Sequence, residues 1–399
     1  MVAACAGWAI ALNTGKVPVA LTRLREDAGL SLVQAGWIAA MLSSVAVVSA
    51  VFVGMGVGRF GALRVAVTGL LLCAAASLWP VLVEPGWWPL ASSRFVEGLG
   101  FMLVAVSCPA LITAASGPGD RRFALSLWST YMPVGASLIM ALAPVLLPTA
   151  GWRGLWLLTS LLLVAAAGSL MSQRAAYGSA GGAHPTGPHP GTDRPDSFFG
   201  PVREALRPAL PWLLAVSFGL WSLQHFALIA WMPTYLQEQR GMGPSATAGL
   251  TAFMLMACAP GNLLGGVLVQ RGVPRGLLLI AAHIVTGSCA YAYTREAWPD
   301  GLRYAAAVAV SFAGGLIPAA VMSSSTVLAR TPQQIGTLQG LYMQVAHLGQ
   351  FFGTPLIAWL VTRHGRWADS LWATGSAAAA GIVLGWVAHR LGQQHVEPP

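Results

Sequence analysis

The stretch SQRAAYGSAGGAHPTGPHPGTDRPDSFFGPVREALRP, Ser172–Pro208, is the one long polar interval in the 399-residue chain. Glycine, proline, serine and charge dominate it, so it lacks the apolar surface needed to offset its ordering entropy and reads as a tether. On either side, residues 1–171 and 209–399 are hydrophobic sequence broken only by short loops. The chain is therefore expected to be two apolar halves of comparable length joined by a polar linker at 172–208.

Composition sets the class. Hydrophobic residues make up 56% of the chain and charged residues 9%, with a mean hydropathy of +0.65. An ordinary soluble domain carries about 25% charged residues. A chain this apolar belongs in a bilayer, whose core needs about 20 apolar residues per helix and leaves no backbone group unsatisfied. The net charge of +9 does not indicate nucleic acid, because the arginines stand at the ends of apolar runs and form no patch. All five cysteines lie inside apolar runs without CxxC or CxxxH spacing, which gives no support to a zinc or disulfide framework and points to small core residues. The first apolar run has no basic leader and no small-residue cleavage signal, and reads as a retained span.

Twelve spans emerge at about 2–22, 32–57, 63–83, 87–115, 123–147, 152–171, 209–236, 245–269, 275–294, 302–328, 335–361 and 367–390. The fold expected is all-α and integral to the membrane, six helices, a linker and six more. With both termini in the cytoplasm, inner segments hold twelve arginines (Arg59, Arg64, Arg121, Arg122, Arg174, Arg194, Arg203, Arg207, Arg271, Arg275, Arg330, Arg390) and outer loops eight. That bias follows the positive-inside rule and places the linker in the cytoplasm.

The halves echo each other. Gly54 of Gly54-MGVGRF-Gly61 pairs with Gly266 of Gly266-VLVQR (266 − 54 = 212), Pro144 with Pro355 (355 − 144 = 211), and Gly151-Trp-Arg with Gly365-Arg-Trp (365 − 151 = 214). Near-constant spacing indicates a duplicated six-helix unit, the architecture in which secondary transporters bind substrate at the repeat interface near the midplane. No nucleotide-binding loop, GxSxG or HExxH occurs, so neither an enzyme nor an ATP-driven pump is indicated, and no cofactor or metal site is expected.

Charge inside the spans is scarce. Lys16, the only lysine, and Arg94 are the two cations assigned to spans, and Glu97 is the one acid. A buried charge at a helix centre costs about 2.5–3.5 kcal/mol on insertion scales. For Lys16 two readings are open: snorkelling to the outer headgroups, or lining a cavity beside Asn13, Gly15 and Pro18, which interrupt the helix there. Arg94 and Glu97, three apart, share a helix face and can pair. Either the pair is structural, or Glu97 is a protonatable counter-ion that frees Arg94 for an anion. Lys16 and Arg94 sit at similar depths and are expected to face each other across a cleft between the halves. Aligning Pro18 with Pro233 (233 − 18 = 215) sets Trp231 opposite Lys16, with Trp221, Gln224 and His225 nearby on span 7. His283 and His347 read as helix–helix glue.

These motifs resemble the major facilitator superfamily of secondary transporters over the whole chain. Gly54, Arg59, Gly61 and Arg64 look like its gating motif GxxxDRxGxR, with Gly58 in place of the aspartate; Gly266 and Arg271 form the second copy, with Gln270 there. Arg94-Phe-Val-Glu97-Gly98-Leu-Gly100 looks like its span-4 motif RxxQGxG, with glutamate for glutamine. Span 5 keeps Gly135 and Pro144 but lacks the dense GxxxGPxxGG pattern of the drug/proton antiporters. Asn13-Thr-Gly-Lys16-Val-Pro18 and the stretch from Leu24 to Trp37 are similar to cyanate-transporter-like members, which implies small anions or carboxylates as substrate. The expected protein is a monomeric, alternating-access permease in the inner (plasma) membrane that moves a small anion, with coupling to protons as one mode. A proton-driven exporter of amphipathic or cationic compounds and a non-transporting sensor are the alternatives.

Overall fold

The structure is a computed structural model that describes residues 1–47, 60–117, 120, 124, 127–128, 130–181 and 200–394. Gly54, Gly58, Arg59, Arg121, Arg122, Arg194, the second part of span 2 and the middle of the linker lie outside the described residues. No strand occurs among the described residues. The helices are α1 (Val2–Ala28), α2 (Leu32–Met41), α3 (Ala62–Leu82), α4 (Trp87–Ala115), α5 (Tyr131–Ser172), α6 (Gly200–Leu206), α7 (Ala209–Arg240), α8 (Pro244–Met256), α9 (Cys258–Gln270), α10 (Arg275–Thr294), α11 (Asp300–Gly314), α12 (Leu316–Leu328), α13 (Pro332–His364) and α14 (Leu371–Gln394).

Nine segments among the described residues are long and apolar enough to cross a bilayer. The 42-residue α5 counts twice, because Gly151 (φ 62°, ψ −167°) breaks it into two spans. With α1 and the span that opens at α2, the total reaches twelve. Spans 8 and 10 are each interrupted, at Ala257 and Gly315, giving the pairs α8/α9 and α11/α12. Two helices overrun their sequence-based ends: α1 continues through Arg23–Asp27 to Ala28, and α7 continues to Arg240. Charged residues past the apolar run are still good helix formers, so the helix persists until a glycine stops it. The linker is not featureless either. Arg174–Gly181 forms a 3-10 helix, and Glu204 of α6 takes hydrogen bonds from Arg330 at 2.8 Å and Gln334 at 3.1 Å.

The duplication is written in the backbone. The six positive-φ glycines among the described residues fall into three pairs: Gly29 and Gly241 (241 − 29 = 212), Gly61 and Gly272 (272 − 61 = 211), Gly151 and Gly365 (365 − 151 = 214). The first pair ends spans 1 and 7, the second lies in the loops after spans 2 and 8, and the third precedes spans 6 and 12. A side chain is strained in this left-handed conformation, so each half turns its chain with glycine at equivalent points.

The described chain divides into two compact units, Met1–Asp193 with Ala230–Ala252, and Arg194–Ile229 with Phe253–Pro399. Within the first unit, Arg25 at the end of α1 pairs with Glu238 at the end of α7 at 2.9 Å. Its helices approach through glycine. A Cβ on Gly15 would stand 2.2 Å from the Ala136 carbonyl of α5, one on Gly98 would stand 2.4 Å from the Leu42 carbonyl, and one on Gly100 would stand 2.5 Å from the Gly69 carbonyl of α3. In the second unit, Gly261 meets the Phe312 carbonyl and Gly315 the Cys258 carbonyl, joining spans 8 and 10 in the same manner. Small residues of this kind let membrane helices pack at backbone distance.

Gly98→Ala or Gly100→Ala is expected to destabilise the protein by about 1–3 kcal/mol through overpacking, read as a lowered thermal unfolding midpoint in detergent. Gly168→Ala, where a Cβ meets nothing within 4 Å, should leave the midpoint unchanged or raise it.

Candidate functional site

Lys16 projects from the middle of α1 and has no solvent exposure, which removes the snorkelling reading. Its ammonium donates to Asn13 Oδ1 at 2.8 Å, Ser77 Oγ at 2.7 Å and Glu97 Oε1 at 2.5 Å. Those three bonds use every proton the ammonium has. Asn13 lies one turn before Lys16 and is oriented by its amide nitrogen, which donates to the Ile10 carbonyl at 3.2 Å. The fourth neighbour is an aromatic face: the Lys16 nitrogen stands 4.7 Å from the ring centroid of Trp156.

Arg94 and Glu97 meet as their three-residue spacing requires. Arg94 Nη1 donates to Glu97 Oε2 and to the Asn13 carbonyl at 2.9 Å, while Nε reaches the Ile38 carbonyl at 3.4 Å. Ser77 Oγ donates to Glu97 Oε1 at 2.7 Å. Lys16 of α1, Ser77 of α3 and Arg94 of α4 thus converge on one carboxylate, while the Ile38 carbonyl of α2 holds Arg94 and Trp156 in the second span of α5 faces Lys16. Glycines next to the charged residues make this possible. Gly15 seats the Lys16 turn of α1 on α5, and Gly98 and Gly100 seat the Arg94–Glu97 face of α4 on its neighbours.

The two cations do not face each other across open space, as the sequence suggested. Both bind Glu97, whose side chain stands between them, and Arg94 is only 1% exposed. Two cations and one anion leave the cluster with a formal charge of +1. Breaking such a buried network by removing one partner is far more costly than the network is stabilising, so stability alone is a poor reason for it.

The second-half residues form a different group. Trp221 stacks on His225 (centroids 4.8 Å apart, 17°) and on Phe218 (5.8 Å, 23°). His225 Nε2 bonds Ser311 Oγ at 3.0 Å, and Gln224 donates to the Leu220 carbonyl at 3.2 Å. Trp221 Nε1, Gln224 Oε1 and His225 Nδ1 are buried without a partner. These residues belong to the second unit and Trp231 to the first. Trp231 is buried. His283 bonds Ser217 at 3.0 Å and its ring abuts Gly381, the helix-bridging place expected for it.

Of the gating residues, Gly61 (φ 85°) precedes α3 and Arg64 is exposed in its first turn. Arg271 ends α9 and is exposed, while a Cβ on Gly266 would meet open space. Sequence reasoning missed Ser77 and Trp156. Neither a serine in an alanine-rich run nor a tryptophan in an apolar span carries a local signal of its role.

Residues 3–354 match the Major Facilitator Superfamily. The chain is 27% identical to the 3-(3-hydroxy-phenyl)propionate transporter of Escherichia coli over 382 residues, 93% of this chain and 87% of that one. It is 25% identical over 372 residues to the probable nitrate/nitrite antiporter of Thermus thermophilus, covering 84% and 79% of the two chains. A probable sulfoacetate transporter of Cupriavidus necator is 24% identical over 271 residues, 64% of this chain and 60% of that one. The fold is shared with a bacterial homolog of the human lysosomal transporter Spinster in an inward-facing and occupied conformation, with a TM-score of 0.75 at 15% identity, over 100% of this chain and 97% of that one. The chain belongs to the Major Facilitator Superfamily: it is a multi-pass membrane protein and a secondary transporter of small molecules, not an enzyme.

Proposed function

We propose that the protein carries a small organic anion, most simply a carboxylate, together with a proton, and that Glu97 exchanges places with the substrate's charge. The carrying observation is the carboxylate of Glu97 held by two buried cations, Lys16 and Arg94. In the empty carrier Glu97 is ionised and occupies both. When Glu97 takes a proton, Lys16 keeps the neutral partners Asn13, Ser77 and Trp156, and Arg94 keeps two backbone carbonyls. Both cations then remain hydrogen-bonded but uncompensated, and a substrate anion restores the balance. The charge is +2 − 1 = +1 with ionised Glu97 and no substrate, and again +2 − 1 = +1 with neutral Glu97 and a bound monoanion. Equal charge in the two forms spares the carrier the cost of moving a changed charge through a low-dielectric region.

The relatives' names support an anionic class, since hydroxyphenylpropionate, sulfoacetate and nitrate share only negative charge. The likeness of the Asn13–Pro18 stretch to cyanate-transporter-like members points the same way. A cationic cargo is disfavoured by the positive cluster. Trp221, Gln224, His225 and Trp231 supply further recognition, and the Gly54–Arg64 and Gly266–Arg271 loops act in gating. The halves 1–171 and 209–399, joined by a cytoplasmic linker, work as a monomer in the inner (plasma) membrane with both termini inside.

The test is uptake of 3-(3-hydroxyphenyl)propionate, sulfoacetate and nitrate into proteoliposomes under an imposed proton gradient. Accumulation of at least one is expected. Lys16→Met should weaken half-saturation by about 10- to 150-fold, the value of a charged hydrogen bond of 1.5–3 kcal/mol. A Lys16→Met protein with wild-type half-saturation contradicts the site. Glu97→Gln should bind and exchange anion yet lose accumulation driven by the proton gradient. Retained gradient-driven accumulation removes Glu97 from coupling.

A further inference from the structure

We propose that Trp156 is a positioning residue for Lys16, its indole face holding the ammonium where the substrate anion arrives. The inference rests on the reading of Lys16 as part of an anion site. Of the four groups around the Lys16 nitrogen, Glu97 alone is charged; Asn13 Oδ1 and Ser77 Oγ accept from the ammonium, and the Ser77 hydroxyl lies within donating distance of both Asn13 Oδ1 and Glu97 Oε1. Trp156 is the one of the four that makes no hydrogen bond to another of them, since Ser77 bonds both Asn13 and Glu97. Its ring lies 4.7 Å from the ammonium, within cation–π range, and a desolvated ammonium over an indole is the strongest version of that interaction.

The ring is fixed in place. Trp156 is wholly buried, Trp152 meets it edge-on with centroids 5.4 Å apart at 85°, and Trp152 in turn donates its Nε1 proton to Asp27 Oδ2 at 2.8 Å. A column of Asp27, Trp152 and Trp156 therefore runs from the end of α1 to the ammonium in its middle. A second observation separates this role from filling. The Trp156 Nε1–H is buried without a partner, a cost that phenylalanine or leucine would avoid. Tryptophan here needs a compensating use, and its π face over the only lysine of the chain supplies one.

That uniqueness also supplies the test. Protein grown with 13C-lysine gives one lysine Cε methylene resonance, observable without any substrate. In the wild type it should be displaced upfield by the indole ring current, return toward the free-lysine position in Trp156→Leu and stay displaced in Trp156→Phe. In uptake of 3-(3-hydroxyphenyl)propionate, Trp156→Leu should raise half-saturation about 10-fold with little change in maximal rate, and Trp156→Phe should restore most of the loss. An undisplaced wild-type resonance, or one that Trp156→Leu leaves in place, overturns the proposal and needs no variant that folds poorly. A shift that vanishes in Trp156→Leu without any rise in half-saturation overturns the positioning role. If the wild type takes up none of the three probe anions while the resonance behaves as expected, the anion reading fails and the Lys16–Trp156 contact stands.

Discussion

Three charges placed inside a helical bundle cannot be left alone: Lys16, Arg94 and Glu97 together would cost about 8–10 kcal/mol on insertion scales if unpaired. Everything near them is arranged to meet that constraint. Every ammonium proton of Lys16 has an acceptor, both oxygens of Glu97 are engaged, and Arg94 borrows backbone carbonyls from α1 and α2. The arrangement is satisfied in hydrogen bonds but unbalanced in charge. Two cations share one carboxylate, and the proposed anion is the charge that would offset the excess.

Backbone packing places those charges. The segment from Arg94 to Gly100 does two things in seven residues: its charged members enter the network while Gly98 and Gly100 let α4 touch the Leu42 and Gly69 carbonyls. Gly15 does the same for Lys16 on α1. Had any of these carried a side chain, the helix axes would separate by more than a hydrogen bond tolerates, so packing and electrostatics are one design. The paired positive-φ glycines extend this across the chain, since equivalent turns in both halves fix where equivalent spans begin and end.

Much of this was legible in the sequence, and the limits have physical causes. The spans show in hydropathy because each must cross a bilayer. The Arg94–Glu97 pair shows because an i,i+3 contact lies within one helix. The similar depth of Lys16 and Arg94 was read from residue counts, and the two share Glu97 as a partner. Lys16 on Glu97 was not legible, because that contact depends on how α1 and α4 are brought together by other helices. Ser77 and Trp156 were hidden for the same reason: within an apolar span, serine and tryptophan have packing fates that look identical from sequence. The overrun of α1 past residue 22 was missed because hydropathy marks where the membrane ends, not where the helix does.

The central claim is that Glu97 and a carboxylate ligand compete for the same two cations. Its most direct measurement is a titration of the thermal unfolding midpoint of Glu97→Ala with acetate, beside the wild type and a Lys16→Met/Glu97→Ala double variant. A ligand that binds the vacated site stabilises the folded state in proportion to its occupancy. The account predicts that acetate raises the midpoint of Glu97→Ala well above its effect on the other two proteins. An equal response in all three would contradict it.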